Sequence, residues 1–424
     1  MRIYLHSYRT FALISSIILL GSTAHADQPT ADDASIGTRP AAAPMATTSV
    51  LERSVGGSEL FGSRRVIDVP IATDPPTDWA VLHAGLRPHL GTFGGLGTFA
   101  LAHARTERFY GVLSLAGVRN DAGTHAGAAQ IALGRNLADS FDGGMQISLT
   151  ENRARNFVGL AQTTLAYNRS LSMVGITQLA SYNRAKDFSG GAQLGLYNRT
   201  DSSFSGIAQV GAFDHARGNF TGLVQLGILS ATGDDLFAEN GDDKHRFAGV
   251  AQVGVVTTNA NDFYGPVQIG VASYTAGTFG GIAQVGGLIT ASGRFRGLAQ
   301  IGAAAMSKDS YGAQIGLGAL AFEEHNGLQL GVGGNYAKSI NGAQVGLVNL
   351  AETVHGVQVG LFNHARNLRG LQIGLANHAE DGVLPWTAVL NFGFGDGDGG
   401  GTSPGDEGDQ NSVAESAPSM SRAQ

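Results

Sequence analysis

From about residue 76 to residue 394 the chain alternates apolar runs with short charged junctions at a nearly constant spacing. Glutamine marks it, at Gln130, Gln146, Gln162, Gln178, Gln193, Gln209, Gln225, Gln252, Gln268, Gln284, Gln300, Gln314, Gln329, Gln344, Gln358 and Gln372. Successive steps are 14 to 16 residues, except one step of 27 that carries an insertion at 231–247. From two residues before each glutamine to four after it, none of the sixteen units holds Asp, Glu, Lys or Arg. Within a unit the positions alternate. In 204–214 one face carries Phe204, Gly206, Ala208, Val210 and Ala212, and the other carries Ser205, Ile207, Gln209, Gly211 and Phe213. A period of two in Val, Ile, Leu and aromatics predicts β-strands. A repeat this regular decides the architecture.

Two architectures accommodate short β repeats. In an antiparallel meander each unit is one strand. In a parallel β-solenoid each unit is a whole coil. An apolar core of nine to eleven residues is roughly 30–35 Å of extended chain. The five or so residues left over reach at most about 18 Å, enough for a turn and too short for a return to a parallel neighbour. This favours the meander. Bends at the regular glycines would reverse the argument, and identical ladders of Phe, Gln and Asn suit a solenoid. Open sheets rarely exceed about ten strands, so a meander this long is expected to close. The expectation is therefore an all-β, antiparallel up-and-down barrel of about 18–20 strands, with a solenoid of 14–16-residue coils as the alternative. Strands of about 9–11 residues with an apolar outer face suit a bilayer. Outer-membrane lipid then becomes the expected surrounding and a barrel-assembly machinery the implied partner. Trp386, Phe392 and Phe394 would belong to a last strand resembling a C-terminal barrel signal, here followed by a 30-residue tail.

The flanks read differently. Arg2 and Arg9, an apolar run from Phe11 to Leu20 and Ala24-His25-Ala26 fit a secretory signal peptide over 1–26. Residues 27–75 are rich in Ala, Thr, Pro and Ser and read as a flexible segment; 395–424 read as a disordered acidic tail. The repeat domain spans 76–394. Glycine numbers 63 of 424 residues without a three-residue period, which excludes collagen. A net charge of −7 leaves no overall basic surface for nucleic acid, and the lack of cysteine removes disulfides, thiolate metal sites and thiol nucleophiles.

The units at 342–352, 356–366 and 370–394 resemble a bacterial surface-repeat family first noted in spirochaetes, marked by tandem G-h-Q-h-G-h-x-N units, where h is hydrophobic. The match is closest over 312–394 and looser over 111–302. Here Glu380-Asp381-Gly382 replaces the family's Asn-Gly near the end. The resemblance implies cell-surface or outer-membrane residence and no particular activity.

No nucleophile elbow, phosphate-binding loop or metalloprotease helix motif occurs. The glycine-rich stretch 91–97 lacks a following helix pattern. His215, His364 and His378 recur in similar turns and read as repeat copies. The insertion carries Asp234, Asp235, Glu239, Asp242 and Asp243 in an order that fits no calcium loop. No catalysis, metal or cofactor is expected. The sixteen glutamines have two readings: neutral amides lining a weakly selective pore, or a bonded ladder in a packed interior. The functional expectation is a non-enzymatic surface barrel, passive pore or structural, with a secreted or surface-attached solenoid adhesin as the alternative.

Overall fold

The computed structural model describes residues 64–65, 77–234 and 245–394, so the expected leader, most of the N-terminal segment and the acidic tail lie outside the described residues. The described chain is all-β and winds into a parallel β-solenoid of about 18 turns. The expected antiparallel barrel is therefore corrected: neighbouring units pair parallel, with Gln209 beside Gln225 and Phe220 beside Phe247. The solenoid alternative describes the fold.

The coil from 206 to 221 shows why. It has three sides: Ala208–Val210, Phe213–Ala216 and Asn219–Thr221. Each side pairs with the corresponding side of the next coil. The apolar core is thus not one straight strand. It bends at Gly206-Ile207 and again at Gly211-Ala212, and a third bend at Arg217-Gly218 brings the chain back above its start. Bending also resets the alternation. Phe204 and Gln209, assigned to opposite faces by strict alternation, both point inward because the corner consumes a residue between them.

The core follows from stacking like on like. On the third side Phe204, Phe220, Phe247, Phe263, Phe279 and Phe295 form a column of buried rings with centroids 4.7–5.3 Å apart. That is the spacing of paired strands. The 27-residue step does not break the column, because the insertion leaves the coil between the second and third sides. Its residues 235–244 lie outside the described residues.

From residue 312 onward the coils shorten to 14–15 residues, and one corner changes. Gly312, Gly327, Gly342, Gly356 and Gly370 take φ between +116° and +145°. A Cβ on any of them would lie 1.9–2.2 Å from a carbonyl oxygen of the coil before, so only glycine fits the tight corner.

At both described ends a strand pairs antiparallel with the neighbouring coil. Arg64–Arg65 pairs with His83 and Ala84. Trp386–Phe394 lies against Phe362–Ala379, with Gln372 opposite Asn391. Trp386, Phe392 and Phe394 are exposed on this closing strand.

Candidate functional site

The sixteen glutamines are fully buried. They border no water-filled lumen; they fill the interior and form one continuous ladder. Gln146 Nε2 donates to Gln130 Oε1 at 2.9 Å, and the same bond repeats at every step to Gln372 and Gln358 at 2.8 Å. The long step is included, with Gln252 donating to Gln225 at 2.8 Å. Many second amide protons reach a backbone carbonyl, as from Gln225 to Ala231 at 3.0 Å. At the far end Asn391 Nδ2 donates to the last Oε1, on Gln372, at 3.3 Å. A buried amide so bonded avoids the cost of an orphaned polar group. The pore reading is corrected by the same facts.

A second ladder runs the other way. Asn136, Asn152, Asn168, Asn183 and Asn198 each donate to the oxygen one coil further on, ending at Asp214 Oδ1, 2.7 Å from Asn198 Nδ2. The same Nδ2 groups also bond a backbone carbonyl, as from Asn198 to Val210 at 2.8 Å. This explains the glycine two residues after the glutamine: a Cβ on Gly211 would meet Asn198 Nδ2 at 2.7 Å. The ladder resumes from Asn335 through Asn349 and Asn363 to Asn377. Asp214 is the exception in this row. Its Oδ2 is buried without a partner. Burial pushes its pKa from 3.8 up to about 7, against the pull of the Asn198 amide and the Gly211 backbone.

With the polar interior occupied by its own ladders, the outer faces hold what is left to bind anything. On the second side a Tyr-Asn-Arg triplet recurs at 167–169, 182–184 and 197–199. The asparagines point inward, and the flanking tyrosines and arginines stand outward, half-buried. Tyr167, Tyr182 and Tyr197 stack with centroids 4.8 Å apart. Arg153, Arg169, Arg184 and Arg199 lie in register beside them. Asp201 bridges Arg184 at 2.9 Å and Arg199 at 2.7 Å. Burial alone would raise the Asp201 pKa, but bonding and charge from these two arginines outweigh it and hold the carboxyl low. Burial and the adjacent phenols push Tyr182 up to about 12, so it stays a neutral phenol. The triplet was the signal in the sequence for this face, and patterning by glutamine passed over it.

The first side presents a different surface. The rows before and after each glutamine, and the corners beyond them, are charge-free in all sixteen units and mostly apolar, with hydroxyls at a few positions such as Thr163, Thr177 and Ser181. Many are well exposed, among them Leu165 at 70 % and Leu298 at 72 %.

The histidines divide. His364 and His378 stack 5.0 Å apart with Nδ1 atoms 2.8 Å from each other, and His378 packs on Trp386. His215 lies coils away and bonds the Gly233 carbonyl at 2.9 Å. Among the described residues no group of three or more metal-ligating side chains converges. In the insertion, Asp234 meets Arg217 at 3.2 Å and His245 at 3.8 Å; its four other acids lie outside the described residues. Ser310 bonds His325 Nδ1 in the ring column, but both are fully buried, so no substrate reaches this pair. Among the described residues no helix is long and apolar enough to cross a membrane.

Comparison with protein-family models, curated proteins and solved structures finds no match.

Proposed function

We propose that this chain is an exported, surface-attached β-solenoid that acts as a non-catalytic binding module, gripping anionic surface polymers along its Tyr–Arg face. The carrying observation is the in-register column of Arg153, Arg169, Arg184 and Arg199 beside the tyrosine stack. Like charges directly opposite on paired strands repel. Asp201 bridges Arg184 and Arg199. A polymer carrying anions at regular intervals lowers the repulsion along the whole column, and its rings pack on flat phenol faces. The signal-peptide pattern of 1–26 and the likeness to surface repeats support an extracellular setting.

The test is retention on immobilised dextran sulfate, with neutral dextran as control. The protein is expected to bind the sulfated matrix at low salt and to elute as salt rises, because exposed charges are screened. A double variant, Arg153→Ser with Arg169→Ser, is expected to elute at clearly lower salt. Equal retention of parent and variant, or no retention at low ionic strength, contradicts the reading.

A further inference from the structure

The apolar first side extends the whole length of the stack, and its rows are ordered by size. The residue before the glutamine is commonly alanine, as in Ala192, Ala208 and Ala283, and the residue after it is commonly Val, Ile or Leu. In the nine units with alanine there, the wall carries a groove and a ridge side by side; larger residues such as Met145, Val224 and Leu328 interrupt the groove. The corners follow a related rule. In twelve of the sixteen units, one of the residues two before and three after the glutamine is large and the other is small. Ile207 goes with Ala212, Leu298 with Ala303, and Gly370 with Leu375. These two corners stand on opposite edges of the wall, so no contact within one chain demands that they complement each other.

We propose that this wall is the interface of a two-fold dimer of this chain, with the two solenoids side by side and pointing the same way. A two-fold axis parallel to the solenoid and centred over the glutamine row faces each position with its mirror position in the partner's same coil. The ridge of one copy then meets the groove of the other, and large corners meet small ones. Two-fold symmetry about an axis across the solenoid would set ridge on ridge and large on large. The axial repeat points to the same occupant, since a partner that meshes at every coil must share the strand spacing of about 4.8 Å, and a second copy does.

The size agrees. About 18 coils at about 4.8 Å each give a wall about 85 Å long, and five residues across make it about 16 Å wide, or about 1,400 Å² per copy. Stable interfaces need about 800 Å² per partner. The largest apolar patch of an ordinary monomer is about 300–600 Å². The sixteen units hold no lysine or arginine on this face to meet lipid headgroups. The Tyr–Arg face lies on another side, so the dimer and the polymer-binding reading stand or fall separately.

Sedimentation equilibrium of the purified chain, with chains of 43.7 kDa, is expected to give the mass of two copies. Val210→Lys with Leu226→Lys places two charges on the ridge and is expected to give one copy with an unchanged β circular-dichroism spectrum. Geometry is read by thiol mixing, since the parent has no cysteine. Ala208→Cys and Val210→Cys proteins, mixed and mildly oxidised, are expected to form a mixed disulfide-linked pair, and neither alone is. A monomeric parent overturns the proposal, as does a monomer that floats with phosphatidylcholine vesicles. Cross-linking of Val210→Cys with itself overturns the axis.

Discussion

Replacing Asp214 by asparagine is expected to stabilise the fold above neutral pH and to leave it nearly unchanged near pH 4. Asp214 sits where the asparagine ladder requires a group that both accepts and donates. Its Oδ1 accepts from Asn198 at 2.7 Å. Its Oδ2 takes the place that Asn198 Nδ2 holds one coil earlier: 2.9 Å from a Cβ on Gly227, against 2.7 Å for Nδ2 at Gly211. There an amide donates to a carbonyl, as Asn198 does to Val210. A carboxylate has no proton to donate and is fully buried. Its neutral form is therefore favoured, and burial raises the pKa from 3.8 to about 7. The sign follows. A raised acid pKa means the folded state holds a proton that the unfolded chain has lost. Stability from this group is present below pH 3.8 and is lost as pH rises through about 7. At about 1.4 kcal/mol per tenfold change in proton affinity, the full loss above pH 7 is about 4 kcal/mol. Asparagine supplies the missing donor and does not titrate. The assay is hydrogen exchange of the amides in coils 190–230 for parent and variant at pH 5 and pH 8, corrected for intrinsic rates. A local readout suits a stack whose coils contact mainly their neighbours. Equal protection at pH 8, or a gain of the same size at both pH values, refutes the reasoning.

His125 stacks between Phe109 and Phe141 at 4.5 and 5.0 Å, neither ring nitrogen has a partner, and burial lowers its pKa from 6.5 to about 4. His125→Phe should therefore abolish a stability loss that develops as pH falls from 6.5, reaching about 3 kcal/mol near pH 4, read by urea midpoints across that range. Gly360→Ala brings a Cβ to 2.4 Å from the Gly346 carbonyl and 2.6 Å from Asn349 Nδ2. A loss of about 1–3 kcal/mol is expected for such overpacking, whereas Gly318→Ala, with nothing within 4 Å of its Cβ, should be silent in the same melt. Gln225→Leu interrupts the amide ladder and leaves Gln209 Oε1 and Gln252 Nε2 each short of a partner. It should cost about 1–3 kcal/mol per orphaned group, visible as lost protection in the flanking coils.

The repeat, its glutamine marker, the position of the insertion and the all-β class were legible from the chain. So was the confinement of charge to junctions. The direction of pairing was not, because alternation through 204–214 looks like one long strand, and nothing in a two-residue period reveals that Gly206-Ile207 and Gly211-Ala212 are corners. The same corners hid that Phe204 and Gln209 share the interior. Columns of identical residues at a 16-residue offset were the contrary signal: Phe stacks on Phe and Gln on Gln only where neighbours run parallel and in register. The wall was legible as an apolar charge-free face and was assigned to lipid through barrel closure. The Tyr–Arg face lay in the Tyr-Asn-Arg triplets, whose inward asparagine and outward flanks become distinct only once the sides of the coil are known.

The parallel stack itself is tested most directly with two nitroxide labels on a chain that has no cysteine of its own. Ser205 and Thr221 are exposed partners on adjacent coils. Labels on Ser205→Cys and Thr221→Cys in one chain should sit within about two strand spacings, roughly 10 Å, and give strong spin–spin broadening that each single-label protein lacks. In an antiparallel meander the same residues stand near opposite ends of neighbouring strands, roughly 30 Å apart. An unbroadened spectrum from the doubly labelled protein would contradict the account.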